Sequence, residues 1–219
     1  MAARTPAART APDTLPATLC LLAWDADKQR FAQSQELGYV VRGAALVDLS
    51  LRGCLSDDEG KVRASGTKRT GDRVLDDVLR QISDDRPRSW GAWVRRGARP
   101  TLTAVQDQLA SARIASVDDR RVLGIFPGRR VAVTDPAAVE AAQAALHKVV
   151  AGHEPVTERD AAVVALVAAG DLRSALSRQE RKEYGERVTA CAEHAAPAVR
   201  KVLRGVKSAR QNAHAGGGG

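Results

Sequence analysis

The chain of 219 residues is long enough for one domain with a sizeable core, and 34 Lys and Arg against 26 Asp and Glu give it a formal charge of +8, which points to acidic partners: nucleic acid, anionic lipid or acidic protein. Aromatics make up only 3% of a composition rich in Ala, Leu, Val and Arg, a bias that favours helix over sheet. No apolar run reaches the length of a membrane span, the opening MAARTPAARTAPD lacks the apolar core of a secretory signal, and Cys20, Cys54 and Cys191 form no CxxC pair, so the expectation is a cytoplasmic protein with reduced, buried thiols.

Residues 1–13 are small, basic and Pro-containing, with nothing to bury, and read as a disordered tail. Thr18 to Trp24 then gives a strand or short helix entering a small hairpin at the polar reversal Asp25 to Lys28. The stretch Leu37 to Gly53, LGYVVRGAALVDLSLRG, is apolar almost all the way round a helical projection and predicts a buried central helix beginning near Ser34 or Gln35 and stopped by Gly53. Gly38 and Gly43 inside it cost about 1 kcal/mol each in helix propensity, so they mark places where another backbone or a ligand comes close. Arg42 stands in the middle. A guanidinium keeps its proton and is costly to bury alone, so Arg42 has to reach an anion or lead its charge to solvent along its stem.

Beyond Gly53, Asp58, Glu59 and Gly60 between short alternating segments signal a hairpin. Asp72 caps a predicted helix over Arg73 to Ser83 with Val74, Leu75, Val78, Leu79 and Ile82 on one face. A short helical turn carries Trp90 and Trp93 among five arginines, and an amphipathic helix follows Pro100 to about Arg113. PGRR reads as the turn of a second hairpin, Val122 to Val133. Asp135-Pro136 opens a helix through Val149 or Val150, Thr157 and Asp160 begin a second apolar helix over Ala161 to Ala169, and helices around Arg178 to Ala195 and Pro197 to Gln211 precede a glycine tail at 212–219. The fold class is therefore mainly α: one compact helical domain over 14–211, built around the buried central helix, with two or three small peripheral hairpins.

Chemistry is sparse. The four histidines, at 147, 153, 194 and 214, pair with no GxSxG serine, HExxH or Cys/His arrangement, and no GxxxxGK[ST] or GxGxxG loop is present. No catalytic residue, metal or cofactor is called for, and the Asp-Asp pairs read as solvated surface. The last helix carries Val199, Val202, Leu203 and Val206 on one face with Arg200, Lys201, Arg204 and Lys207 around it. An interfacial membrane helix and a core-packing helix with a basic exterior both fit, and the modest apolar face prefers the second. Trp90 and Trp93 fit equally an anionic-headgroup surface with interfacial aromatics and a roof over the core.

The order LCLLAW, LGYVVRGAALVDLSLRG, a hairpin, GDRVLDDVLRQI, a Trp-bearing turn, VLGIFPGRRVAVTDP and AAVVALVAAGDL resembles the Golgi phosphoprotein 3 family, as its actinobacterial members look, over about residues 15 to 205. RGAALVDLSLRG is similar to the family's G-A-x-L-x-E-L-x-L-x-G core, and GDRVLDDVL to its G-D-x-x-L-D-E-x-L. The resemblance implies a mostly helical domain that docks on membranes. Eukaryotic relatives recognise phosphatidylinositol 4-phosphate in a shallow basic pocket and bridge Golgi glycosyltransferase tails to the coat. The arginine of that pocket falls on Arg42, its tryptophan on Gln33, and its further basic residues near Arg99 and Leu102. The resulting expectation is a non-enzymatic protein at the inner face of the membrane, with Arg42 as headgroup anchor and Arg95, Arg96 and Arg99 as auxiliary charge. The alternatives are an adaptor for acidic protein partners and, third, nucleic-acid binding. The Val122 to Val133 hairpin either packs on its own domain or reaches a second copy in a homo-oligomer.

Overall fold

The computed structural model describes residues 11–31, 34–66, 69–122, 126–152 and 155–215. In chain order these form α1 (Leu15–Leu22), β1 (Trp24–Asp25), β2 (Arg30–Phe31), α2 (Ser34–Leu51), β3 (Leu55–Asp58), β4 (Lys61–Ala64), α3 (Arg73–Asp84), β5 (Arg88–Ser89), α4 (Trp90–Arg95), α5 (Ala98–Ser111), β6 (Ala115–Val122), β7 (Phe126–Val133), α6 (Pro136–Ala151), α7 (Glu158–Ala169), α8 (Arg178–Glu183), α9 (Gly185–His194) and α10 (Pro197–Ala215). The strands make three small antiparallel sheets, β1-β2, β3-β4-β5 and β6-β7.

The hub is α2, which packs against α1, α3, α4, α5, α7 and α10. Its aliphatic residues from Leu37 to Leu49 are buried, as the all-round apolar projection requires, and Tyr39 is half-buried. Both interior glycines lie at close approaches. A side chain on Gly38 would sit 3.2 Å from the Ala98 backbone of α5, and one on Gly43 would sit 2.7 Å from a Val206 methyl and 3.2 Å from Val202, both on α10. The valines of α10 thus fill a groove that only glycine leaves open. Asp48, buried on the same helix, accepts from the Leu15 N–H at 2.7 Å and from Arg52 Nε at 2.6 Å, tying the start of α1 to the centre of the molecule.

Local signals act where they stand in the chain. Asp72 accepts from the Leu75 N–H to cap α3, and Thr157 accepts from the Asp160 N–H to cap α7. Glu59 and Gly60 both have positive φ, 49° and 83°, the geometry of a tight turn whose twist matches its strands. All three cysteines are buried and unpaired.

Several expectations change. Within the stretch read as a tail, Ala11 packs on the core and Asp13 pairs with Arg159 at 2.9 Å, while residues 1–10 lie outside the described residues. PGRR is no turn: Pro127 and Gly128 pair with Arg121 and Arg120 inside a longer hairpin that begins at Ala115. The charged run Ser116 to Arg121 had hidden its first strand. The predicted helix over Arg178 to Ala195 is broken at Tyr184 into α8 and α9, the last basic helix extends to Ala215, and the helix after α4 starts at Ala98 with Pro100 in its first turn. Trp90 and Trp93 are buried, so the reading of them as interfacial aromatics falls. Val199, Val202, Leu203 and Val206 are buried too, so α10 packs its apolar face on the core and is no interfacial helix.

α4 crosses α10 glycine on glycine: a methyl group on Gly205 would lie 2.9 Å from Gly91 Cα. Gly205→Ala should destabilise the fold by about 1–3 kcal/mol in urea unfolding even though helix propensity alone favours alanine by about 1 kcal/mol, because backbone on both sides leaves nothing to yield. Asp57 joins the β3-β4 hairpin to the Trp90 indole at 2.7 Å and to Lys201 of α10, and Lys201 above all holds its carboxyl below the ordinary value of 3.8. A depressed carboxyl stabilises the fold above its unfolded value and loses that contribution as pH falls through the folded one. Asp57→Asn should therefore flatten the loss of thermal stability below about pH 4.

Candidate anion-binding site

Arg42 has no exposed surface. Its Nε donates to the Trp93 carbonyl of α4 at 3.2 Å, its Nη1 to Thr101 Oγ1 of α5 at 3.1 Å, and its Cζ lies 5.8 Å from the Trp93 ring centroid. Among the described residues no carboxylate is within ion-pair distance, and Nη2 makes no hydrogen bond. The sequence demanded an anion or a path to water for this charge. The structure gives a peptide oxygen, a hydroxyl and an aromatic face, which solvate a guanidinium without neutralising it. Burial, and after it the like charge of Arg96, lowers the Arg42 pKa to about 10, so the group stays charged at neutral pH under strain.

The guanidinium rests against the start of α5. The residue before that helix is Gly97, at φ 77°, and no side chain caps its first turn. A side chain on Gly97 would come within 3.4 Å of Arg42 Cζ and Nη1 and 3.2 Å of the Gln81 side-chain oxygen, so only glycine closes the turn over the arginine. Uncapped N–H groups and the positive end of the helix dipole thus lie beside a buried cation.

The other predicted arginines divide. Arg96, just before Gly97, is exposed, pairs with Asp85 at 3.0 Å and is close enough to act on Arg42. Arg99 stands exposed in the first turn of α5 with no ion pair. Arg95 turns away: its Nη1 lies 3.8 Å from the side-chain position of Gly91, on the face of α4 that meets α10. Leu102 is buried, and Gln33 lies outside the described residues. The orphaned Nη2, the uncapped helix start and the buried carbonyl partner depend on tertiary contacts, and no sequence signal carried them.

Several other arginines have carboxylate partners. A cleft of about 600 Å³ lined by Arg30, Glu36, Asp171, Arg173 and Arg210 has Arg210 bonded to Glu36 at 3.1 Å and to the Ala169 carbonyl at 3.0 Å, and Arg173 to Asp171 at 3.2 Å. Among the described residues no group of His, Cys, Asp and Glu is arranged to hold a metal, and no helix is long and apolar enough to cross a membrane.

The family model of Golgi phosphoprotein 3 matches residues 15–206. The chain belongs to the Golgi phosphoprotein 3 family. No curated protein matches it. The match takes in α2, the α4–α5 junction and α10 as far as Val206, so every residue described around Arg42 lies inside the Golgi phosphoprotein 3 domain.

A structural arginine and one held for a ligand differ in what removal does. Arg42→Met keeps volume and removes an uncompensated charge, at the expense of one unpaired carbonyl on Trp93. The change in unfolding free energy should stay within about 1 kcal/mol, against the 3–5 kcal/mol lost when one partner of a buried ion pair is deleted.

Proposed function

We propose that this Golgi phosphoprotein 3 domain is a non-enzymatic, peripheral membrane protein that takes the phosphate of anionic phospholipid headgroups at the α4–α5 junction. One observation carries the reading: a fully buried arginine with a free Nη2, set beside an uncapped helix start and a second arginine, with no carboxylate of its own. A phosphate oxygen there would accept from Arg42 and from the first N–H groups of α5, both charge-assisted or dipole-assisted bonds. Arg99, in that same first turn, and Arg96 supply the surrounding charge. Family resemblance favours a headgroup like phosphatidylinositol 4-phosphate, and Gln33 at the place of the family's tryptophan favours a less restrictive choice. The inner face of the membrane is where such a site would work.

Entry requires the Arg96–Gly97 turn to lift from Arg42. The ion pair that opening breaks is Asp85–Arg96, more than half exposed on the arginine side, and exposed pairs are worth about 0–1 kcal/mol; the turn is also held by the bonds that the Thr101 N–H and Oγ1 donate to the Gly97 carbonyl at 2.9 and 2.8 Å. Arg96, once released, is free to turn to the phosphate.

Co-sedimentation with phosphatidylcholine vesicles, with and without phosphatidylinositol 4-phosphate or phosphatidylglycerol, tests the proposal. The wild type should pellet with the anionic vesicles, and Arg42→Met, folded by circular dichroism, should lose most of that preference. Equal binding to neutral and anionic vesicles, or an Arg42→Met protein that binds as the wild type does, rules the site out. Retention on acidic protein in place of vesicles would turn the reading to an adaptor.

A further inference from the structure

The exposed side of α10 carries charge that the fold uses only in part, at Arg200. Successive helical residues are about 100° apart, so Arg200, Arg204, Lys207 and Gln211 fall within one narrow stripe, and all four are exposed. The helix contains no acidic residue. Its flanking cations are answered, Lys201 by Asp57 and Arg210 by Glu36. Within the stripe and among the described residues, Arg204 and Lys207 make no hydrogen bond or ion pair, and Arg200 donates to the Glu193 and Ala195 carbonyls. Like charges at i, i+4 weaken a helix by a few tenths of a kcal/mol per pair, so the stripe is no aid to folding.

Its position links it to the candidate site. At the Gly91–Gly205 crossing, one point in space, the side-chain position of Gly91, is 3.6 Å from Gly205 Cα and 3.8 Å from Arg95 Nη1. Arg95, which has no ion pair among the described residues, therefore lies near Gly205, the residue that follows Arg204 in α10. It stands at the end of α4 that leads into the Gly97 turn over Arg42.

We infer that the Arg200–Arg204–Lys207 stripe of α10, joined by Arg95, is the face that lies against an anionic bilayer while the α4–α5 junction takes a single headgroup. This rests on the reading of the Arg42 site given above. A straight row of cations about 10 Å long on one rigid helix suits a flat, diffuse negative surface. Continuity with the headgroup site favours the same membrane as occupant, and the row offers no aromatic ring on which a nucleic-acid base could stack.

The test uses the full chain with Arg204→Gln and Lys207→Gln together, both exposed and outside the Arg42 site. Each cation near an anionic surface strengthens attachment about fivefold, so the double variant should bind phosphatidylglycerol vesicles roughly 25-fold more weakly, with a shallower dependence on salt. Binding of soluble glycerol phosphate, followed by calorimetry, should be unchanged. Vesicle affinity equal to wild type overturns the inference and leaves the Arg42 reading standing. A parallel loss of glycerol phosphate binding also overturns it, by placing both cations in the site itself. Loss of DNA binding with vesicle binding intact overturns it in favour of nucleic acid. The Arg42 reading fails separately if Arg42→Met leaves glycerol phosphate binding intact.

Discussion

Burying a positive charge without a counter-charge is among the costliest things a fold can do, and Arg42 is placed in that way at the meeting of α2, α4 and α5. The surroundings explain how it persists. α2 is held on all sides by packing that leaves it no freedom to rotate the arginine outward: the Ala98 backbone presses on Gly38, the valines of α10 fill the groove at Gly43, and Asp48 anchors α1 to the same helix. The strain at one residue is borne by a well-packed core of aliphatic side chains. Such local conflict inside an otherwise consistent structure is where function is expected.

The molecule contains two populations of arginine. Arg52, Arg159, Arg173, Arg181 and Arg210 pair with carboxylates, and Arg159, Arg181 and Arg210 tie separate segments together in doing so. Arg42, Arg95, Arg99 and Arg204 have no carboxylate, and they are distributed over α2, α4, α5 and α10. The net charge of +8 is therefore less informative than its division, since charge already neutralised inside the protein has nothing left to offer a partner.

The helical frame was legible because its signals are local. Period 3.6 in α3, all-round apolarity in α2 and α7, side-chain caps at Asp72 and Thr157, and Asp-Pro before α6 each act within one or two turns. The errors arose where a local signal had two meanings. Ser116 to Arg121 is as polar as a loop yet forms a strand, because backbone pairing to β7 does not need apolar side chains; PGRR carries turn residues yet lies in the opposite strand. The pause at Tyr184-Gly185 was too brief to split a helical pattern. For the site, the residue type at position 42 was enough to pose the electrostatic problem. Its solution was invisible, since the Trp93 carbonyl and Thr101 hydroxyl are more than fifty residues away in sequence, and Arg95 and Arg96 are neighbours whose side chains go opposite ways.

The groove at Gly43 also bears on how the chain is made. Val202 and Val206, which fill it, belong to the element synthesised after every other one described, whereas α2 is among the first. During vectorial synthesis the central helix has to wait with an open apolar flank until α10 emerges, so its core closes late and through contacts of high sequence separation. Until then the chain exposes apolar surface of the kind that chaperones cover, and a premature stop before Val199 releases a product without the valines that fill the Gly43 groove.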